Sequence, residues 1–286
     1  MAVYFSFQAA LCFSIAHILI RRGLVGSNAM TGSLISLSMS AAVLWLLFPF
    51  FAPFSALWTP AALIFVLAGI FAPGIGRTLS YVGIEKIGVA RSVPIANSSP
   101  IFASIFAVIF LAEAWVLQNI VGTLLVIGGT IILSMSRPAK GEWRKLDVIY
   151  PLVGAMAFGA SAILRKTGLD HVEIPVLAAA VTAGSAALFS FALLQFQGGR
   201  GAFKLTRRSA AWLFPAGLVN TAAMLSVFYA LSHGKVVIVE PLVSSNPVLT
   251  LLFTAIFLRD VEALNTRVIA GALLAVAGTI LVVTVK

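Results

Sequence analysis

Charge is what this sequence has least of. Only 10% of its 286 residues are Asp, Glu, Lys or Arg, and the acidic ones number nine, where ordinary globular chains are about 25% charged. So few charges cannot solvate the surface of a chain this long, which excludes an ordinary water-soluble domain. Cysteine is nearly absent too. The single Cys12, inside the first apolar block, rules out an intrachain disulfide and any CxxC metal site. The three histidines, His17, His171 and His233, stand far apart, and there is no G-x-S-x-G elbow, no His/Asp/Glu metal spacing and no pair of acids at one depth. An enzyme is therefore not expected, nor is a resident metal or other cofactor. The net charge of +10 would suggest nucleic acid in a soluble protein, but the basic residues fall between apolar blocks rather than along one helix face. Nucleic acid is not an expected partner; membrane lipid is, since the pattern reads as a positive-inside bias with some attraction to anionic headgroups.

Apolar residues fill the space that charge leaves. They make up 60% of the chain, and mean hydropathy is +1.07. Blocks of spanning length run over 3–20, 31–51, 60–84, 89–111 and 116–134, then, after a polar connector at 136–147, over 148–164, 175–196, 209–231, 236–258 and 266–285. Each approaches the roughly 20 residues that a helix needs to cross hydrocarbon. Backbone amides in lipid have no water to bind, so only helices or closed barrels can span, and these blocks are too long and too evenly apolar for barrel strands. The first block lacks a basic n-region and a small-x-small cleavage site and reads as a retained helix. The expected fold is an all-α integral membrane protein of ten transmembrane helices.

The sequence also repeats itself. Pro94 and Pro100 recur as Pro241 and Pro247, and Phe110-Leu111 as Phe257-Leu258, all at an offset of 147; Gly69 and Tyr81 match Gly217 and Tyr229 at 148, and Gly122 and Gly129 match Gly271 and Gly278 at 149. Such order defines two repeats, 1–135 and 148–286, joined by the basic connector 136–147. Five helices in each is an odd number, so the repeats must sit upside down relative to one another, as in inverted-topology transporters.

The strings Gly-Arg-Thr-Leu-Ser-Tyr (76–81), Ile-Gly-Val-Ala-Arg-Ser-Val-Pro (87–94), Ser-Ser-Pro-Ile-Phe (98–102) and Phe-Leu-Ala-Glu (110–113), with the Gly-rich helix over 122–130, resemble the EamA branch of the drug/metabolite transporter superfamily. The likeness covers essentially the whole chain, each half carrying a Pro-interrupted fourth helix, an acid just after it and a Gly-rich fifth helix. Family members are ten-helix exporters or exchangers of amino acids, nucleobases, sugars and related metabolites. The resemblance therefore implies secondary transport of a small-molecule substrate by a multi-pass protein of the cell (inner or plasma) membrane, without naming the cargo. The rival class is a non-transporting membrane subunit, such as a flippase component or an assembly factor. A monomer and a homodimer are both compatible with the sequence.

Alternating access requires a polar cavity near the midplane, lined by helices whose regularity is interrupted. Pro94, Pro100, Pro241 and Pro247 are expected to loosen helices four and nine, so Asn97, Ser98 and Ser99 with Ser244, Ser245 and Asn246 are candidate substrate-binding residues. The alternative for these small polar side chains is helix-to-helix glue. Arg77 lies deep in the third block, where a cation costs at least about 2.5 kcal/mol on insertion scales, so it must face protein, water or substrate, unless it snorkels to the headgroups. Tyr81, four residues on, shares its helix face and, with its equivalent Tyr229, is a candidate for stacking on ligand or for anchoring at the interface. Arg91 and Glu240, just before the equivalent Pro94 and Pro241, are with those prolines the candidate gating or coupling residues; a carboxylate in a low-dielectric cavity can exchange a proton, but an acid at a helix start, favoured by the helix dipole, is the simpler reading of Glu240. Gln8 and His17 are polar at spanning depth and are possible cavity residues. Glu113 and Glu262 read as helix-start acids. Gly122, Gly128, Gly129, Gly271 and Gly278 mark faces of close helix approach.

Orientation divides charge counting from family habit. Arg21, Arg22, Lys86, Arg91, the 137–145 connector, the 200–208 loop, Arg259 and Arg267 fall on one side, against Arg165, Lys166, Lys235 and Lys286 on the other. The positive-inside rule thus places both termini outside the cytoplasm, whereas the resemblance implies both inside.

Overall fold

A computed structural model of the chain describes residues 1–87, 92, 95–134, 144–196, 199, 203–249, 253 and 266–284. Within them the long elements are α1 (Ala2–Gly23), α2 (Ala29–Phe51), α3 (Pro60–Gly69), a π-helical turn (Ile70–Gly76), α4 (Arg77–Ile87), α5 (Ser99–Leu111), α6 (Leu117–Ser134), α7 (Ile149–His171), α8 (Pro175–Phe196), α9 (Arg207–His233), α10 (Val236–Val243) and α11 (Thr266–Val283). Among the described residues six stretches are long and apolar enough to cross a membrane: Ala2–Ile20, Met30–Phe51, Pro60–Ser80, Lys145–His171, Pro175–Phe196 and Arg207–His233. Ser99–Leu111, Leu117–Ile132, Val236–Leu249 and Ile269–Val283 are shorter apolar helices.

Local chemistry explains the boundaries. The Asn28 side chain accepts the Thr31 amide at 2.8 Å and starts α2, and Thr206 accepts the Ser209 amide at 3.1 Å and starts α9; both are N-cap bonds to donors with no intrahelical partner. α7 continues to His171, well past the end of its apolar run at Leu164. Its extra turns are supported by charge, since Lys166 Nζ meets the Asp170 carboxylate one turn on at 2.9 Å and also donates to the Leu231 carbonyl at 3.1 Å. Hydropathy stops where these charges begin; the helix does not. The third apolar block, expected as one regular helix, is divided by the π turn around Pro73. Proline has no amide to donate and crowds the preceding turn, and the Thr78 and Ser80 hydroxyls donate to the Gly74 and Gly76 carbonyls, both at 2.8 Å, as the chain returns to α-helix in α4.

Helices pack across the two halves. α1 lies against α9 and α10; α7 lies against α3, α4 and α5; α2 pairs with α8, and α6 with α11. Replacing each helix by its equivalent in the other half maps this set of contacts onto itself. Gly122 abuts Gly278 and Val282 while Gly129 abuts Gly271 and Ala275, so α6 and α11 run antiparallel. Gly128 does not join this seam, because a Cβ there would meet nothing within 4 Å. α8 is among the most buried elements, and its Ala178, Ala179, Ala180 and Ala183 are fully buried near Phe48, Phe65 and Phe228. Small side chains let helices approach closely where lipid supplies no hydrophobic drive for association. Ser161 Oγ donates to the Ala68 carbonyl at 2.8 Å, and Thr182 Oγ1 to the Phe65 carbonyl at 3.2 Å, so these contacts also carry hydrogen bonds.

Candidate ligand cavity

The broken helices meet around a cavity of about 480 Å³, within the size range of small-molecule sites. The chain entering α5 turns at Asn97 and Ser98 before Pro100 enters the first turn of that helix. The other half does the same at Ser244 and Ser245, where α10 ends ahead of Pro247. Proline has no amide to donate to the carbonyl four residues back and crowds the preceding turn, so each helix yields in the turn ahead of its second proline. Asn97 and Ser99 from one break, with Ser244 and Asn246 from the other, line the cavity. Ser98 and Ser245 do not: their hydroxyls donate to the carbonyls three residues back, Ile95 at 2.6 Å and Leu242 at 2.7 Å. One residue of each polar cluster of three thus stabilises the break, and the other two line the space it opens.

Arg77 also lines the cavity. The π turn inserts its extra residue immediately upstream and so sets the face on which Arg77 emerges. Nη1 donates to Ser33 Oγ on α2 at 2.9 Å. Among the described residues no carboxylate pairs with it. His17 contributes to the wall from α1, with Phe13 stacked against it at 6.3 Å between ring centroids.

Two further wall residues form a charge pair. Arg165 of α7 and Glu240 of α10 stand 3.6 Å apart, with side chains only 15% and 14% exposed. Arg165 is steadied by an Nε donation to the Ser161 carbonyl at 3.3 Å and by the Phe228 ring, whose centroid lies 6.0 Å from Cζ. Glu240 Oε1 accepts no hydrogen bond among the described residues. Reading Arg165 as a loop cation missed this role, because α7 carries it inside the fold. The signal available was Glu240 itself, since a carboxylate at spanning depth calls for a cation. Ser80, Thr182 and Asn220 add polar groups to the wall that the sequence did not single out.

Other expected residues lie elsewhere. Tyr229 is stacked on Phe5 at 5.2 Å and does not line the cavity. Nor does Gln8, whose buried Oε1 has no hydrogen-bond partner among the described residues. Pro241 is buried within α10, behind the wall. Arg91, Pro94, Glu262 and the Tyr81 side chain lie outside the described residues, as do 136–143 of the connector and 254–258 of the ninth block. Glu113 is not a cap for its own helix. Its two carboxylate oxygens accept the amides of Val236 and Val237, at 2.9 and 3.0 Å, so it closes the N-terminus of α10 in the other half.

Apolar helices of spanning length around a cavity that carries two guanidiniums and a carboxylate mark a multi-pass membrane protein. The chain belongs to the EamA-like transporter family, which matches residues 1–135 and again 146–284. Membership implies that it is a membrane transporter of small molecules. A protein crystal structure with 17% sequence identity superposes with a TM-score of 0.80, covering 99% of this chain and 96% of that one; at that identity it supports the fold alone. Among curated proteins, none matches.

Proposed function

We propose that this chain is a secondary transporter of the cell membrane that exports an amino acid or a related zwitterionic metabolite by alternating access. Its two five-helix halves, 1–135 and 148–286, form an inverted repeat of ten transmembrane helices. The antiparallel seam between the equivalent helices α6 and α11 supports the inversion, as do the exchange-symmetric helix contacts. The observation that carries the substrate reading is the cavity's mixed charge: among the described residues Arg77 has no carboxylate partner, while Glu240 Oε1 is held only by the 3.6 Å pairing with Arg165. A substrate carboxylate takes Arg77 through a planar fork. The substrate ammonium takes Glu240, and Asn97, Ser99, Ser244 and Asn246 supply neutral polar contacts. Helices four and nine move at their breaks, and Glu240 couples substrate to proton by exchanging one for the other.

Purified protein reconstituted alone in liposomes tests this. Uptake of labelled amino acids without any partner protein is the expected result. Preference for cationic drugs over amino acids would overturn the zwitterion reading, and failure to move any solute unaided would favour a non-transporting subunit. If Glu240 couples, the pH profile of uptake flattens in Glu240→Gln; an unchanged profile removes it from coupling.

A further inference from the structure

Resting on the ammonium-and-carboxylate reading above, we propose that the preferred cargo is an amine bearing two carboxylates, the chemistry of an acidic amino acid, and that Arg165 selects the second carboxylate. Among the described residues the cavity wall carries two guanidiniums, Arg77 and Arg165, and one carboxylate, Glu240. Glu240 neutralises Arg165 at 3.6 Å, and among the described residues Arg77 meets the Ser33 hydroxyl and no carboxylate. A solute with one ammonium and one carboxylate leaves this account open. Its carboxylate satisfies Arg77, but its ammonium draws Glu240 away from Arg165. A largely buried guanidinium is then left without a counter-charge, the costly state for a broken buried pair.

A second carboxylate on the solute closes the account. One meets Arg77, the ammonium meets Glu240, and the other meets Arg165, so each charge in the wall faces an opposite one. The added charge of −1 also offsets the excess cation of the cavity. Arg165 is held ready for this exchange. Its contacts with the Ser161 carbonyl and the Phe228 ring are independent of Glu240, so they keep the guanidinium in the wall while Glu240 turns to the ammonium. On the other side of the exchange, Glu240 Oε1 accepts no hydrogen bond among the described residues, so its 3.6 Å pairing with Arg165 is what a substrate ammonium replaces. A cationic amine brings a second positive charge to the two arginines and is disfavoured by the same balance.

The experiment is competition for uptake by proteoliposomes containing the full chain, using three near-isosteric probes: glutamate, glutamine and glutarate. Glutamate is expected to outcompete glutamine by about tenfold or more, the factor for one carboxylate–guanidinium contact. Glutarate, lacking the ammonium, should compete less well than glutamate. Arg165→Gln should bring the glutamate-to-glutamine ratio towards one, and Arg165→Lys should restore part of it. Gel filtration identifies any variant that fails to fold, and the wild-type ratio decides the matter without either variant. Glutamine equal to or better than glutamate in wild type overturns the inference, as does an unchanged ratio in Arg165→Gln or a glutarate affinity equal to that of glutamate. Transport of neutral amino acids without an acid preference overturns this inference alone, whereas transport of no amine-bearing solute overturns the underlying reading as well.

Discussion

At the scale of single residues, membrane depth makes charge informative. Arg77 stood out in the sequence because nothing else in its apolar block needs a cation there, and in the fold it lines the cavity with a neutral partner. Arg77→Ala is expected to abolish or strongly weaken transport while the protein still inserts and elutes as a monodisperse species; Arg77→Lys should rescue only part, because an ammonium cannot make a bidentate fork. Liposome uptake beside gel filtration checks both, and wild-type uptake by Arg77→Ala would return the residue to snorkelling. Arg165 was illegible for the opposite reason. It follows directly on the end of an apolar run, where hydropathy assigns charges to loops, and only the continued helix α7 brings it to Glu240. Removing one partner of such a pair costs about 3–5 kcal/mol, because the other charge stays buried. Glu240→Gln should therefore lower the thermal unfolding temperature in detergent, and adding Arg165→Gln should recover part of the loss. Simple additivity of the two losses would show that the pair is not coupled.

At the scale of helices, small residues and caps decide what can approach. A Cβ on Gly129 would stand 2.5 Å from the Ala275 nitrogen and from the Gly271 oxygen, both backbone atoms that cannot yield cheaply. Gly129→Ala is expected to weaken the α6–α11 seam and lower the unfolding temperature. The neighbouring Gly128→Ala meets open space and should be neutral or stabilising by up to about 1 kcal/mol, the helix propensity of alanine over glycine. Equal melting shifts for the two would mean that the seam does not need close approach. Sequence periodicity grouped both glycines together; only the packing separates them. Glu113 presents the same limit. Its place after a helix was visible, but its partners lie 123 and 124 residues away. Glu113→Ala deletes two charge-assisted bonds to amides with no helical partner, an expected loss of about 2 to 4 kcal/mol. Glu113→Gln, which keeps one acceptor oxygen, should fall between, as thermal unfolding in detergent can measure.

At the scale of the whole molecule, the arrangement of charge sets the expected orientation. Arg165 belongs to the cavity wall rather than to a loop, so it leaves the tally on the side of the termini, which strengthens the surplus on the opposite side. We expect both termini outside the cytoplasm, against the habit of related transporters. A cysteine introduced at Ala2, in a chain whose Cys12 is replaced by serine, should react with an impermeant thiol reagent in intact cells. Protection until lysis would reverse the orientation.

The amino-acid sequence by itself determined the solvent, the helical class and the doubled organisation. Each of these follows from properties summed over many residues: apolar runs too long for strands, backbone groups that lipid cannot satisfy, and prolines and glycines recurring at nearly constant offset. It also marked both helix breaks, because proline acts on its own local backbone. Tertiary structure alone decided which side chains share the cavity. Helices brought together from opposite halves set the pairing of Arg165 with Glu240, the turning away of Ser98, Ser245 and Tyr229, and the capping of α10 by Glu113. Such contacts depend on how helices cross and rotate about their axes, which side-chain packing across long sequence separations fixes and no local pattern encodes.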